Sequence, residues 1–190
     1  MYTRIIFLDI DGVLNSRKYI LSVGDIFDDP VFQVDPKTVK LVNILHQATQ
    51  AAIVVTSTWR KAFQGQLDKL QDCLASYKIQ APVVGMTDDL AFASNSRGSE
   101  IKKYLSEHPE VRNFVIFDDE NIAEFPQNLI QTTFDEGLQV SHITRAIEHL
   151  GFGCGCSCRA CYAGPFEDVI FGGKKYTMCH CDVEIVKALE

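Results

Sequence analysis

The chain has 190 residues, 46% of them hydrophobic and 23% charged, with a formal net charge of −7. This is enough for one sizeable core and a small appendage, in the composition range of a soluble globular protein. The negative charge argues against a broad phosphate-backbone footprint, which asks for Lys and Arg, and no apolar run approaches the length of a membrane span.

The first apolar run, Ile5 to Leu8, follows a single Arg and stops at Asp9. It is too short for a signal peptide, so a cytoplasmic chain without a membrane partner is expected. Residues 4–8 read as a strand buried on both faces. Residues 12–33 form a long irregular stretch with Gly12, Gly24, Asp28, Asp29 and Pro30, read as a small hairpin or flap. Asp35-Pro36 starts a helix, Asp as cap and Pro in the first turn, which runs to about Thr49 with Val39, Val42, Ile44 and Leu45 on one face. Ala51–Val55 is a second buried strand, ended by TSTWR. Residues 61–77 read as one helix, with Phe63, Leu67, Leu70 and Leu74 recurring at helical spacing. Pro82–Met86 is a third strand, Arg97–Glu107 a helix and Asn113–Phe117 a fourth strand ended by DDE. Leu129–Thr132 reads as a fifth strand, and Ser141 as the cap of a helix through Leu150. Strands alternating with helices predict an α/β fold with a mostly parallel sheet flanked by helices.

In such a sheet ligands bind outside the carboxyl ends of the strands. Asp9 and Asp11 follow the first strand, Thr56, Ser57 and Thr58 the second, and Asp118 and Asp119 the fourth. Asp9 and Asp11 stand two apart, so extended backbone turns both to one side, where like charges repel unless a cation or shared proton lies between them. Four carboxylates at one sheet edge suit a hard cation such as Mg²⁺. One of them can then serve as nucleophile and a neighbour as proton shuttle, while a hydroxyl and a basic side chain hold phosphoryl oxygens.

These motifs resemble the haloacid dehalogenase superfamily of phosphatases. DIDGVL at Asp9 is its first motif, IVVTS its second, and Asp118-Asp119 after NFVIF its fourth, in the right order over roughly residues 4–120. FLDIDGVLN, TSTWR and RGSEI resemble more narrowly the small branch of that superfamily found in RNA repair proteins. The resemblance implies a Rossmann-like core and a Mg²⁺-dependent phosphoric monoester hydrolase. Asp9 would be the nucleophile that carries an aspartyl-phosphate. Asp11 would be the general acid and then base, its backbone carbonyl also binding Mg²⁺. Asp118 and Asp119 would complete the metal site. Thr56, and after it Ser57, would bind the phosphoryl group. The third motif is normally Lys; here Arg97 takes that place, with Lys102 and Lys103 as the alternatives. Residues 12–33 and 78–96 are too short for a full cap domain. An open site is therefore expected, fitting a phosphorylated substrate as large as a nucleic-acid terminus or a phosphoprotein, or else a site with the C-terminal segment as its lid.

Several residues near the motifs have plainer readings. Trp59 belongs in the core more readily than against a substrate base, and Asn15 either orients the first motif's loop or touches substrate. His46, His108, His142 and His149 read as surface or satisfied core groups.

Composition shifts near residue 151, which divides the chain into a core of residues 1–150 and a Cys-rich module of residues 151–190. Cys154, Cys156, Cys158 and Cys161 are followed by Cys179-His180-Cys181. Cys158-x₂-Cys161 with Cys179-x-Cys181 has the form of a structural Zn²⁺ knuckle, leaving Cys154, Cys156 and His180 for a second site in which thiolates bridge two metals. Between the clusters, YAGPFEDVIFGGKKYTM reads as a hairpin turning at Gly172-Gly173. A protein partner could dock on this module. The rival to the enzyme is a phosphate- or metal-sensing protein without catalysis, whose zinc module recruits that partner.

Overall fold

The computed structural model describes residues 2–23, 33–90, 97–153 and 166–189. Its elements in chain order are β1 (Arg4–Leu8), α1 (Arg17–Val23), α2 (Pro36–Thr49), β2 (Ala52–Val55), α3 (Trp59–Ala62), α4 (Leu67–Ser76), β3 (Val83–Met86), α5 (Arg97–Glu107), β4 (Asn113–Asp118), β5 (Leu129–Gln131), α6 (Val140–Leu150), β6 (Phe166–Phe171), β7 (Lys174–Cys179) and α7 (His180–Leu189). Strands β1 to β5 form one parallel sheet in the order β3-β2-β1-β4-β5. This is the parallel α/β sheet expected from the alternation and the Rossmann-like core that the resemblance implies, and no cap domain is inserted among the described residues.

Alternation along β1 explains its continuous apolar run. Ile6 and Leu8 face the larger apolar cluster with Val42 and Leu45 of α2 and Ile143 and Ile147 of α6. Ile5 and Phe7 face the other side, with Ile101 of α5. Helices cover both faces, so neither parity of the strand meets water.

Asp35 caps α2 as expected, its side chain accepting from the Lys37 amide at 2.8 Å. Three elements depart from the sequence reading. Residues 17–23 are helical, where an irregular stretch was expected; the hairpin or flap reading of residues 24–32 lies outside the described residues. The helix expected over 61–77 is two, α3 and α4, because Gln64 and Gly65 take φ of 52° and 72° and break the apolar periodicity. The cap of α6 is Gln139, not Ser141: Gln139 and His142 form a reciprocal capping box, so His142 is a satisfied structural group.

The hairpin predicted around Gly172-Gly173 is present as β6 paired antiparallel with β7. The sequence reading did not find α7, although Val183, Val186 and Leu189 repeat at helical spacing and are buried. Together with Phe171 they join the larger apolar cluster. Phe152, Phe171 and Tyr176 pack edge to face at the seam. Arg4 ties the same seam by donating to the Thr49 and Phe152 carbonyls. Apolar burial against the α/β body thus contributes to folding this segment. Cys154, Cys156, Cys158 and Cys161 lie outside the described residues; Cys179 ends β7, and His180 and Cys181 open α7.

Candidate active site

Strand register builds the site. Leu8 pairs with Val55 on one side and Phe117 on the other, so the next residues, Asp9, Thr56 and Asp118, stand in one row at the carboxyl edge. The Asp9 amide donates to the Phe117 carbonyl and the Thr56 amide to the Leu8 carbonyl, each at 2.9 Å, which carries the ladder through that row. Asp9, Thr56, Ser57 and Asp118 are buried, and Asp119 is partly exposed at the mouth.

Carboxylate oxygens of Asp9, Asp118 and Asp119 lie within 4.8 Å of one another. Arg97, the first residue of α5, reaches into this cluster. One of its guanidinium nitrogens, Nη1, lies 3.2 Å from Asp9 Oδ1, 2.9 Å from Asp118 Oδ2 and 3.5 Å from Thr56 Oγ1. Of the other two basic candidates, Lys102 is exposed and Lys103 pairs with Asp88 and Glu107.

The electrostatics follow from burial and crowding. Burial raises Asp9 above the usual carboxylate range, while Arg97 and a Ser57 hydrogen bond pull it down. Asp118 is pushed up to about 7, first by burial and then by the Asp9 charge, against the pull of Arg97. Burial and the Asp9 charge also raise Asp119. One guanidinium therefore does not fully offset three clustered acids.

Those acids fit a hard cation. The donor set is all oxygen. Gly12, at φ +75°, lets the chain turn so tightly that a Cβ there would stand 2.5 Å from the Asp119 carboxyl carbon. The backbone thus makes room for that carboxylate beside the first motif, a demand only glycine meets. Thr132 holds the turn by donating to the Gly12 carbonyl at 2.7 Å.

Asp11 stands outside this triad. Its Oδ1 accepts from Asn15 Nδ2 at 2.7 Å and its Oδ2 from Trp59 Nε1 at 3.1 Å. Asn15 Oδ1 in turn accepts from the Gly12 amide at 3.0 Å, so Asn15 orients the loop of the first motif.

The sequence reading missed one pair. Arg60 donates from Nη2 to both carboxylate oxygens of Glu100 at 2.8 Å and from Nη1 to the Thr56 and Ser57 carbonyls. Thr87, past β3, and the Leu90 amide donate to the same carboxylate. Glu100 lies one turn beyond Arg97 on α5, so this buried brace joins the second motif's loop to the helix that delivers Arg97. Arg60 sits in TSTWR and Glu100 in RGSEI, two stretches already singled out, but nothing local in sequence shows that they meet.

A parallel sheet with this row of acids at its carboxyl edge defines a haloacid-dehalogenase-type α/β domain. The chain belongs to the family described as the HAD domain in Swiss Army Knife RNA repair proteins, whose model matches residues 5–143. No curated protein and no solved structure matches it. Family and acid cluster together point to phosphatase-type chemistry. Among the described residues no helix is long and apolar enough to cross a membrane.

Proposed function

We propose that this chain is a Mg²⁺-dependent phosphatase that hydrolyses a phosphate monoester through an aspartyl-phosphate on Asp9. The observation that carries the reading is the meeting of Asp9, Asp118, Asp119 and Arg97 in one partly buried row beside Thr56. Asp9, Asp118 and Asp119 would hold the cation, with the Asp11 carbonyl. A bound Mg²⁺ supplies charge neutralisation for the phosphoryl oxygens and lets Asp9 remain a carboxylate beside its neighbours. Arg97 and the Thr56 hydroxyl, with Ser57 next to it, bind the remaining oxygens and orient phosphorus toward Asp9.

An Asp9 oxygen attacks phosphorus as the bond to the leaving oxygen breaks, and Asp11 gives that oxygen its proton. Asp11 then takes a proton from water, whose oxygen attacks phosphorus and breaks the bond to Asp9. Phosphate leaves and both acids return to their starting states. A phosphate on a nucleic-acid end is the substrate we favour, because the family is described in RNA repair proteins and no cap domain closes over the site among the described residues. From the cysteine spacing alone, we also propose structural Zn²⁺ at Cys154, Cys156, Cys158, Cys161, Cys179 and Cys181, in a segment open to a protein partner.

The test is turnover across 3′- and 5′-phosphorylated oligonucleotides, nucleotides, sugar phosphates and phosphopeptides, with and without Mg²⁺ and with Asp9→Asn as control. Mg²⁺-dependent release of phosphate that the variant lacks supports the reading. Silence across the panel from a folded protein would favour a phosphate-sensing protein instead.

A further inference from the structure

Trp59 is the protein's single tryptophan. It is 5% exposed and packs in the larger apolar cluster, which phenylalanine could also fill. A buried indole must place its N–H on an acceptor. Here the acceptor is Asp11 Oδ2, at 3.1 Å. The other oxygen of the same carboxylate is held from a different element, by Asn15 Nδ2 at 2.7 Å. Asn15 is itself 4% exposed and anchored on the Gly12 amide. A carboxyl torsion is broad when left alone. Two donors approaching from the first motif's loop and from the start of α3 fix its plane. Each oxygen keeps a lone pair on which a proton can ride.

We propose that Trp59 and Asn15 are positioning residues that hold the Asp11 carboxyl in the orientation from which it passes a proton to the leaving oxygen. The inference rests on the phosphatase reading and adds the groups that aim its acid. TSTWR then serves the site three times: Ser57 bonds Asp9, Trp59 aims Asp11, and Arg60 braces the helix of Arg97.

Leaving-group dependence separates this role from mere packing. An alkyl phosphate needs its leaving oxygen protonated; 4-nitrophenyl phosphate, with an acidic leaving group, does not. Trp59→Phe should lower kcat/KM, which reports the step that expels the leaving oxygen and not the later attack of water, about tenfold or more for an alkyl phosphate, a part of the 10²–10⁴ that general acid catalysis supplies. It should leave kcat/KM for 4-nitrophenyl phosphate within about threefold, whereas Asn15→Leu, which also frees the Gly12 amide, should lower kcat/KM on both esters but more on the alkyl phosphate. A second readout needs no turnover: emission from the single Trp59 should shift in Asp11→Ala, which removes the indole's acceptor. Equal loss on both esters, no loss on either, or unchanged emission overturns the proposal. The alkyl ester is taken from whichever phosphorylated substrate of the panel above the wild type hydrolyses; a wild type silent on that whole panel and on 4-nitrophenyl phosphate defeats the phosphatase reading itself, and the positioning role with it.

Discussion

Removing the Glu100 carboxylate should unfold the protein more readily than any surface change. The Arg60 and Glu100 side chains are 6% and 9% exposed, and two 2.8 Å hydrogen bonds join them. Glu100→Ala strands a buried guanidinium and leaves the Thr87 hydroxyl without that acceptor. Breaking one side of such a pair costs about 3–5 kcal/mol. For a domain of this size that is a fall in Tm of about 6–20 °C, at roughly 2–4 °C per kcal/mol. Urea unfolding in EDTA, on the wild type, Glu100→Ala, Arg60→Met and the double variant, gives the coupling energy. The double variant should cost less than the sum of the singles but should not return to wild type, because the Thr56 and Ser57 carbonyls also lose their Arg60 donor. A Glu100→Ala loss under about 1 kcal/mol, or additive costs, would refute the brace.

Further outcomes follow from the same geometry. Gly12→Ala, strained at positive φ and pressed against Asp119, should weaken Mg²⁺ binding by calorimetry by more than a Ser→Ala change on an exposed helix does. Arg97→Met should destabilise the metal-free protein, since Asp9 and Asp118 lose their counter-charge, and Mg²⁺ should restore much of the loss in a thermal melt. Asp118 has a folded pKa near 7, above its unfolded value, so the folded state takes up a proton as pH falls through 7. The metal-free protein should therefore gain stability from this group between pH 8 and 6, and Asp118→Asn should flatten that trend in denaturant midpoints. Phe171→Ala, at a site 5% exposed, should cost about 3–5 kcal/mol if the C-terminal hairpin is seated on the main core.

Much of this fold was legible because its strands are short continuous apolar runs ended by polar clusters. Ile5–Leu8, Ala52–Val55 and Asn113–Phe117 carried β1, β2 and β4, and their ends carried Asp9, Thr56 and Asp118 into one row. Asp35-Pro36 marked α2 because capping is local chemistry. What stayed hidden depended on partners far along the chain. Gln64 and Gly65 broke a helix that periodicity ran straight through. Gln139 and His142 capped α6 by a reciprocal bond that the nearby Ser141 obscured. The Arg60–Glu100 pair spans forty residues, and α7 is a short helix whose apolar face, Val183, Val186 and Leu189, is buried on a core built far back along the chain. The choice of Arg97 among three basic residues needed α5 placed in space, since the motif's usual lysine is not there to mark it.

The most direct measurement is mass spectrometry of the protein quenched during turnover with Mg²⁺ and an ester it hydrolyses. The account predicts a phosphoryl group on the peptide that contains Asp9, absent in Asp9→Asn, with that variant inactive. Steady turnover without any covalent phosphoryl group at Asp9, or an active Asp9→Asn, would contradict it.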